Sequence, residues 1–398
     1  MKNISGKSKV ILDILLNIIA ATLPVTMLQL IIYPKIAFSL GGNEYGLMLT
    51  IYSVWIMFPN SMGNVLNNIK LLKFPEYQKL GLEGDIPVLL RQWVTFSSVV
   101  VFIAIWFYCG DFNFIHIVTG TFVALFIFLK AYLEVGFRIK LNFTSILINN
   151  ALLSLGFIFG YFFFKLTGVW EFIFLVAYLF STIYCALKTN LLKELPQKTS
   201  LFCKIKKDAY SLVCSAVIVN LTNYADKLVL YPLMGGTAVS VYYTSTILGK
   251  ITGMLTGPIN SVVLSYIARW DKSKANIFSK VLFLGVVICV IGYIVSILLA
   301  RPVIGMLFPQ WLAPVMEIIP FTTVTIMLTV LVSILNPFIL KFCKMQWQIG
   351  INMVGAIAYF GSALVLWFFM GLKGFCIGTI IGALAKLIIM IVVYYKSQ

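Results

Sequence analysis

Residues 220–236 read NLTNYADKLVLYPLMGG. The run is apolar enough for lipid, yet it sets Asp226 beside Lys227 and closes on Tyr-Pro and a double glycine. An ionised side chain at bilayer depth costs about 3 kcal/mol on insertion scales, so a chain that carries two has a use for them. Neighbours on a helix point about 100° apart. Asp226 and Lys227 are therefore not expected to pair with each other, and at least one should look into the protein interior.

The same run has an echo near the start of the chain. LIIYP at 30–34 matches LVLYP at 228–232, and a double glycine follows each, Gly41-Gly42 and Gly235-Gly236. Pro34 precedes Pro59 by 25 residues and Pro232 precedes Pro258 by 26; a base follows 11 residues later in both, Lys70 and Arg269. The offsets, 198 and 199, are half of the 398-residue chain. Three landmarks at one offset point to an internal duplication, with one gap needed between proline and glycine pair.

Composition says what was duplicated. Hydrophobic residues make up 61% of the chain and charged residues 11%, against about 25% charged in a soluble domain. The mean hydropathy is +1.00. At about 20 residues per crossing, the chain reads as twelve helices, over 10–33, 45–68, 92–109, 114–135, 143–165, 169–187, 209–232, 239–266, 281–305, 316–340, 349–370 and 375–395. The longest interior polar stretch separates six from six. The expected organisation is an N-terminal bundle 1–190, a cytoplasmic linker 191–208 and a C-terminal bundle 209–398. Because six is even, both halves enter the membrane in the same sense, and their pseudo-twofold axis runs along the membrane normal. The expected fold is thus all-α and polytopic.

Charge orients it. With both termini on one side, that side collects 22 of the 30 basic residues, while the other holds only Lys35, Lys165, Arg301 and Lys373. Lysine and arginine accumulate in cytoplasmic loops, so both termini are expected in the cytoplasm. The net charge of +17 then reports topology and contact with anionic lipid heads. No basic domain stands outside the membrane, so nucleic acid is not an expected partner. The seven cysteines lack paired or metal-like spacing, and the single histidine, His116, has no catalytic company in sequence. External loops are too poor in polar groups to build a catalytic domain, and the chain is not expected to be an enzyme.

The intramembrane polar residues remain as site candidates. Lys130 and Glu134 stand four apart on one helical face, where such a pair neutralises itself. Lys250 and Lys386 each lie about 16 Å inside their helices, with no acid three or four positions away. They read either as the lining of a cationic cavity or as a structural bridge to Asp226. Gln29, Asn220, Asn223 and Asn260 suit a wet cleft or, equally, helix-to-helix hydrogen bonds. Gly249, Gly253 and Gly257 recur every four residues before Pro258, as Gly374, Gly378 and Gly382 do near the C-terminus. That spacing allows close helix approach, and next to Pro258 or Pro59 it permits bending.

Two stretches carry a family resemblance. SLGGNEYGLMLTIYSVW at 39–55 resembles the first-loop pattern of the polysaccharide-export flippases, in which a glycine and then Tyr-Gly open the second helix. YADKLVLYPLMGGTAVSVYYTSTILGKITGMLTGPINSVVLSYIAR at 224–269 is similar to their C-terminal-half signature, through Asp226, Gly235 or Gly236, Tyr242 or Tyr243, and Pro258. The wider multidrug/oligosaccharidyl-lipid/polysaccharide superfamily shares this architecture. The resemblance implies a bacterial cytoplasmic-membrane flippase that carries undecaprenyl-pyrophosphate-linked oligosaccharide repeat units outward for O-antigen or capsule assembly, beside glycan polymerase and chain-length machinery. It implies a cationic cavity, to which Lys250, Lys386, Lys227, Asn223, Asn260 and Gln29 would contribute. Asp226, Lys130 and Glu134 would serve as counter-charges or coupling groups, and Gly235, Gly236, Gly257, Pro258 and Pro59 as turns and hinges. No bound cofactor is implied, only coupling to an H+ or Na+ gradient or to the membrane potential. The first helix departs from the pattern in lacking a mid-depth arginine. Two other readings are a cation-coupled multidrug exporter of the same fold, which expects an acidic cavity, and a membrane glycan polymerase or acyltransferase.

Overall fold

The computed structural model describes residues 6–82, 84–109, 114–254, 275–343 and 345–396, and these are helical almost throughout. Twelve rods can be followed among the described residues. We number them α1 (6–40), α2 (42–80), α3 (Asp85–Cys109), α4 (114–139), α5 (Phe143–Thr167), α6 (Glu171–Lys188), α7 (202–234), α8 (236–254), α9 (Ala275–Leu307), α10 (Leu312–Phe342), α11 (345–370) and α12 (372–396). The helical stretches Leu16–Leu80 and Gly350–Lys396, with 65 and 47 residues, are each long enough for two crossings at about 20 residues apiece. The chain is a multi-pass membrane protein.

Glycines make the breaks. Gly41 (φ 76°, ψ −179°) ends α1, and Gly235 (φ 78°, ψ 175°) ends α7. That region of backbone space is open essentially to glycine alone. The first glycine of each echoed pair therefore does the same job in the same conformation. Gly371 (φ 58°, ψ −137°) divides α11 from α12 in a related way. Prolines act more gently. Pro59 lies in a π-helical turn, Ile56–Asn60, within α2. Without an N–H the proline cannot hold the normal i to i−4 ladder, and the helix widens by one residue there. A second π turn, Met27–Ile32, follows Pro24 in α1 and carries Gln29.

The chain forms two compact units, Met1–Gly236 and Thr237–Gln398. In the first, α5 and α6 approach so closely that a Cβ on Gly156 would stand 2.4 Å from the Ala177 Cα, and one on Gly160 2.6 Å from the Ile173 Cα. Trp55, Phe157, Trp170 and Phe174 fill one end of this unit, edge to face or tilted, with Trp55 and Phe174 centroids 5.4 Å apart. At the other end Leu89, Trp93, Tyr132 and Leu133 pack with Phe202, Ile205 and Ala209, which anchors the start of α7 in this unit.

The polar stretch after α6 is strapped down as well. Fully buried Asp85 accepts hydrogen bonds from the Thr199 N–H (2.6 Å), the Thr199 hydroxyl and the Tyr77 hydroxyl. Lys70 Nζ donates to both carboxylate oxygens of Glu194. Nothing in the spacing of these residues announces the arrangement.

In the second unit Phe278, Leu335, Phe338 and Tyr394 form the centre, with Phe278 stacked on Tyr394 at 3.8 Å. The four-residue glycine spacing of α12 packs it against α11: Cβ atoms on Gly378 and Gly382 would stand 2.3 Å from the Ala363 Cα and 2.5 Å from the Tyr359 Cα. Ser362 donates to the Gly378 carbonyl across that contact at 2.8 Å.

Candidate functional site

In the first unit buried charges and tyrosines from five helices lie within electrostatic reach of their neighbours. Lys130 and Glu134 on α4 form an ion pair at 3.0 Å, and Lys130 also donates to Asn150 Oδ1 of α5 at 3.4 Å. Tyr178 of α6 lies in the electrostatic reach of Lys130, and a hydrogen bond joins its hydroxyl to that of Tyr52 on α2. Tyr224 on α7 lies within the electrostatic reach of both Tyr178 and Asp226. Lys227 stands over the Tyr224 ring, 5.2 Å from its centroid. Three tyrosines thus lie near two ion pairs that stand 92 residues or more apart in sequence.

One expectation is corrected here. Lys227 Nζ lies 3.1 Å from Asp226 Oδ1 and 3.3 Å from Oδ2, with both residues buried. Adjacent Cα–Cβ vectors do diverge on a helix, but the four-carbon lysine stem is long and flexible enough to curl back over one residue. The pair neutralises itself locally. Around it, Tyr108 of α3 donates to the Leu228 carbonyl at 3.1 Å, and Asn220 donates to the Ser61 hydroxyl at 2.6 Å, two residues beyond Pro59.

Removing one member of such a buried pair costs about 3–5 kcal/mol, because it strands the other charge. Asp226→Ala should therefore lower the unfolding midpoint of the detergent-solubilised protein far more than the double change Asp226→Asn with Lys227→Met. Equal stability of Asp226→Ala and the parent protein would show that the two side chains are not paired.

The remaining candidates are dispersed. Gln29 sits in the π turn of α1, its Oε1 buried without a hydrogen-bond partner among the described residues. Asn223 is exposed. Asn260, Gly257 and Pro258 lie outside the described residues. In the second unit Lys250 stands over the Tyr243 ring, 4.4 Å from its centroid. Lys386 is half-buried on α12 and lays its stem in the notch left by Gly355 of α11, where a Cβ would come within 3.0–3.2 Å of three lysine carbons. Among the described residues Lys386 has no ion-pair partner.

Besides Asp85, a second buried acid is not announced by the sequence. Glu171, at the start of α6, is 1% exposed and meets His116 of α4 through a 2.7 Å contact to Nδ1. The two are 55 residues apart, so no local spacing could reveal them. Glu134, Asp226 and Glu171 thus each face a base, whereas Asp85 is held by hydroxyls and a backbone N–H. Among the described residues no three His, Cys, Asp or Glu side chains gather closely enough to hold a metal ion.

No protein-family model and no curated protein matches this sequence. Solved structures do match in fold. An inward-facing multidrug resistance MATE family transporter of the MOP superfamily aligns over 96% of this chain and 98% of its own, with a TM-score of 0.68 at 13% identity. The lipid II flippase MurJ, in an inward closed conformation, aligns over 96% of this chain and 86% of its own, with a TM-score of 0.71 at 14% identity. An outward-facing MATE family transporter aligns over 100% and 98%, with a TM-score of 0.64 at 13% identity. The fold of this chain is therefore the one these transporters and the flippase share.

Proposed function

We propose that this chain is a flippase that moves undecaprenyl-pyrophosphate-linked oligosaccharide across the bacterial cytoplasmic membrane by alternating access, with no chemical step of its own. In this reading its termini lie in the cytoplasm, the repeated halves are 1–190 and 209–398, and an ion gradient or the membrane potential drives the cycle. The observation that carries the reading is the charge balance inside the spans. Glu134, Glu171 and Asp226 each already face a base, while Lys386, within a span, has no acid to meet it among the described residues. An intramembrane cation of this kind is retained for a partner or a cavity, and a diphosphate is such a partner. The fold shared with a lipid II flippase supports the same class of substrate.

The fold shared with multidrug transporters supports a second reading, export of cationic drugs. That activity calls for an unneutralised acid in the cavity. The two readings separate in liposomes containing the purified chain. Fluorescent lipid-linked oligosaccharide should become accessible to outside quencher faster than in empty liposomes, and ethidium should not be extruded under an imposed H+ or Na+ gradient. Ethidium transport without oligosaccharide movement would replace the flippase with the exporter.

A further inference from the structure

We propose that Lys35 and Lys165 form a binding site for the phosphate of an anionic glycerophospholipid, at the end of the first unit opposite its lysine-rich loops. Lys165 lies in the last turn of α5 and Lys35 near the end of α1. Both ammonium groups stand 5.7 Å from the centroid of one ring, that of Tyr161, and so lie at most twice that distance from each other. Ser39 ties the pair together: its hydroxyl accepts from Lys165 Nζ at 2.8 Å and donates to the Lys35 carbonyl at 2.9 Å. Of the four basic residues that the sequence assigns to this side, two have converged on a single tyrosine.

Among the described residues their charge is not answered by a protein carboxylate: none comes within ion-pair distance of either lysine, although Lys373, which the sequence assigns to the same side, takes Glu317 at 3.0 Å. The ring face attracts cations but carries no net charge, so a doubly positive cluster remains. The surroundings say which anion fits. Phe38 is 80% exposed, Leu166 83% and Phe162 60%, an apolar rim of the kind that meets acyl chains. Tyrosine and lysine together at helix ends mark the headgroup level of a bilayer. A phosphate that enters with acyl chains attached satisfies both halves of this surface, whereas a free phosphate would leave the apolar rim in water.

The test is native mass spectrometry of the purified full-length chain in detergent, titrated with phosphatidylglycerol and, separately, with phosphatidylcholine. The parent protein should prefer phosphatidylglycerol, and each of Lys35→Gln and Lys165→Gln should weaken that binding about fivefold, the contribution of one interfacial lysine. The double Lys→Arg variant should keep the preference, and all variants should melt together. Undiminished phosphatidylglycerol binding by the double Gln variant overturns the site. So does a response of these variants confined to undecaprenyl pyrophosphate, which would hand the lysines to the transport substrate instead.

Discussion

Gly46→Ala is expected to yield little folded protein in the membrane. A Cβ at Gly46 would lie 1.9 Å from the Gly236 carbonyl oxygen and 2.4 and 2.5 Å from the next two backbone atoms of that residue. All three obstacles are main chain, so no side chain can swing aside. Relief from the other partner is blocked too, because Gly236 is itself pressed on Asn43: a Cβ there would stand 2.0 Å from the Asn43 carbonyl oxygen. The Gly236 N–H donates to Asn43 Oδ1 at 3.0 Å, which fixes the register of the crossing. Overpacking a well-fitted core costs about 1–3 kcal/mol when side chains can yield, and a backbone-on-backbone clash belongs at or above the top of that range. The measurement is the yield of monodisperse protein from membranes, with the thermal midpoint of what is recovered. Gly361→Ala is the matched control, since its Cβ would meet nothing within 4 Å among the described residues; in a helix that change should be neutral or stabilise by about 0.5 kcal/mol. If Gly46→Ala melts with the control, the two segments do not touch.

This crossing joins the two glycine-containing breaks whose echo suggested the duplication, and it shows how far the sequence could be read. Gly41 and Gly235 were legible because a left-handed, extended backbone leaves glycine as the only comfortable residue, and a doubled occurrence after Tyr-Pro is rare by chance. The spans were legible because lipid demands about 20 apolar residues in a row. The polar group from Lys130 to Lys227 was not. Its members Tyr52, Tyr178 and Tyr224 look like ordinary aromatic residues of a membrane helix, and only packing of α2, α4, α6 and α7 brings them near the charges. The Asp226–Lys227 contact was hidden for a different reason: helical direction sends adjacent side chains apart, and only the reach of the lysine stem brings the two charges together. Asp85 and Glu171 were missed because their partners come from 114 and 55 residues away. Depth and periodicity locate a charge in a membrane protein, but long-range packing decides whether it is spent within the fold or kept for a ligand.

Lys386 is a charge that packing leaves over within a span among the described residues, and its removal should cut transport sharply while sparing the fold. Its stem runs along Gly355 and its ammonium group has no ion-pair partner among the described residues, so Lys386→Ala strands no buried acid. That sets it apart from Asp226, where truncation breaks a pair. A lysine–phosphate contact in a dehydrated cleft is a charge-assisted hydrogen bond worth about 1.5–3 kcal/mol, hence on the order of a 10- to 150-fold loss of oligosaccharide movement for Lys386→Ala. Lys250→Ala should act in the same direction, since that residue also carries its charge deep in a span, above the Tyr243 ring. Arginine at either position should keep part of the activity, because the charge survives while the donor geometry changes. Gly355→Ala offers a test that leaves the charge in place: a Cβ 3.0 Å from the Lys386 Cβ displaces the stem and should slow transport without changing what the cavity carries. These variants are compared by membrane level and by movement of lipid-linked oligosaccharide in liposomes. Normal transport by both alanine variants would assign the two lysines to packing and remove the cationic cavity from the mechanism. Loss of both proteins from the membrane would make them structural, holding α8 and α12 in place rather than holding a substrate.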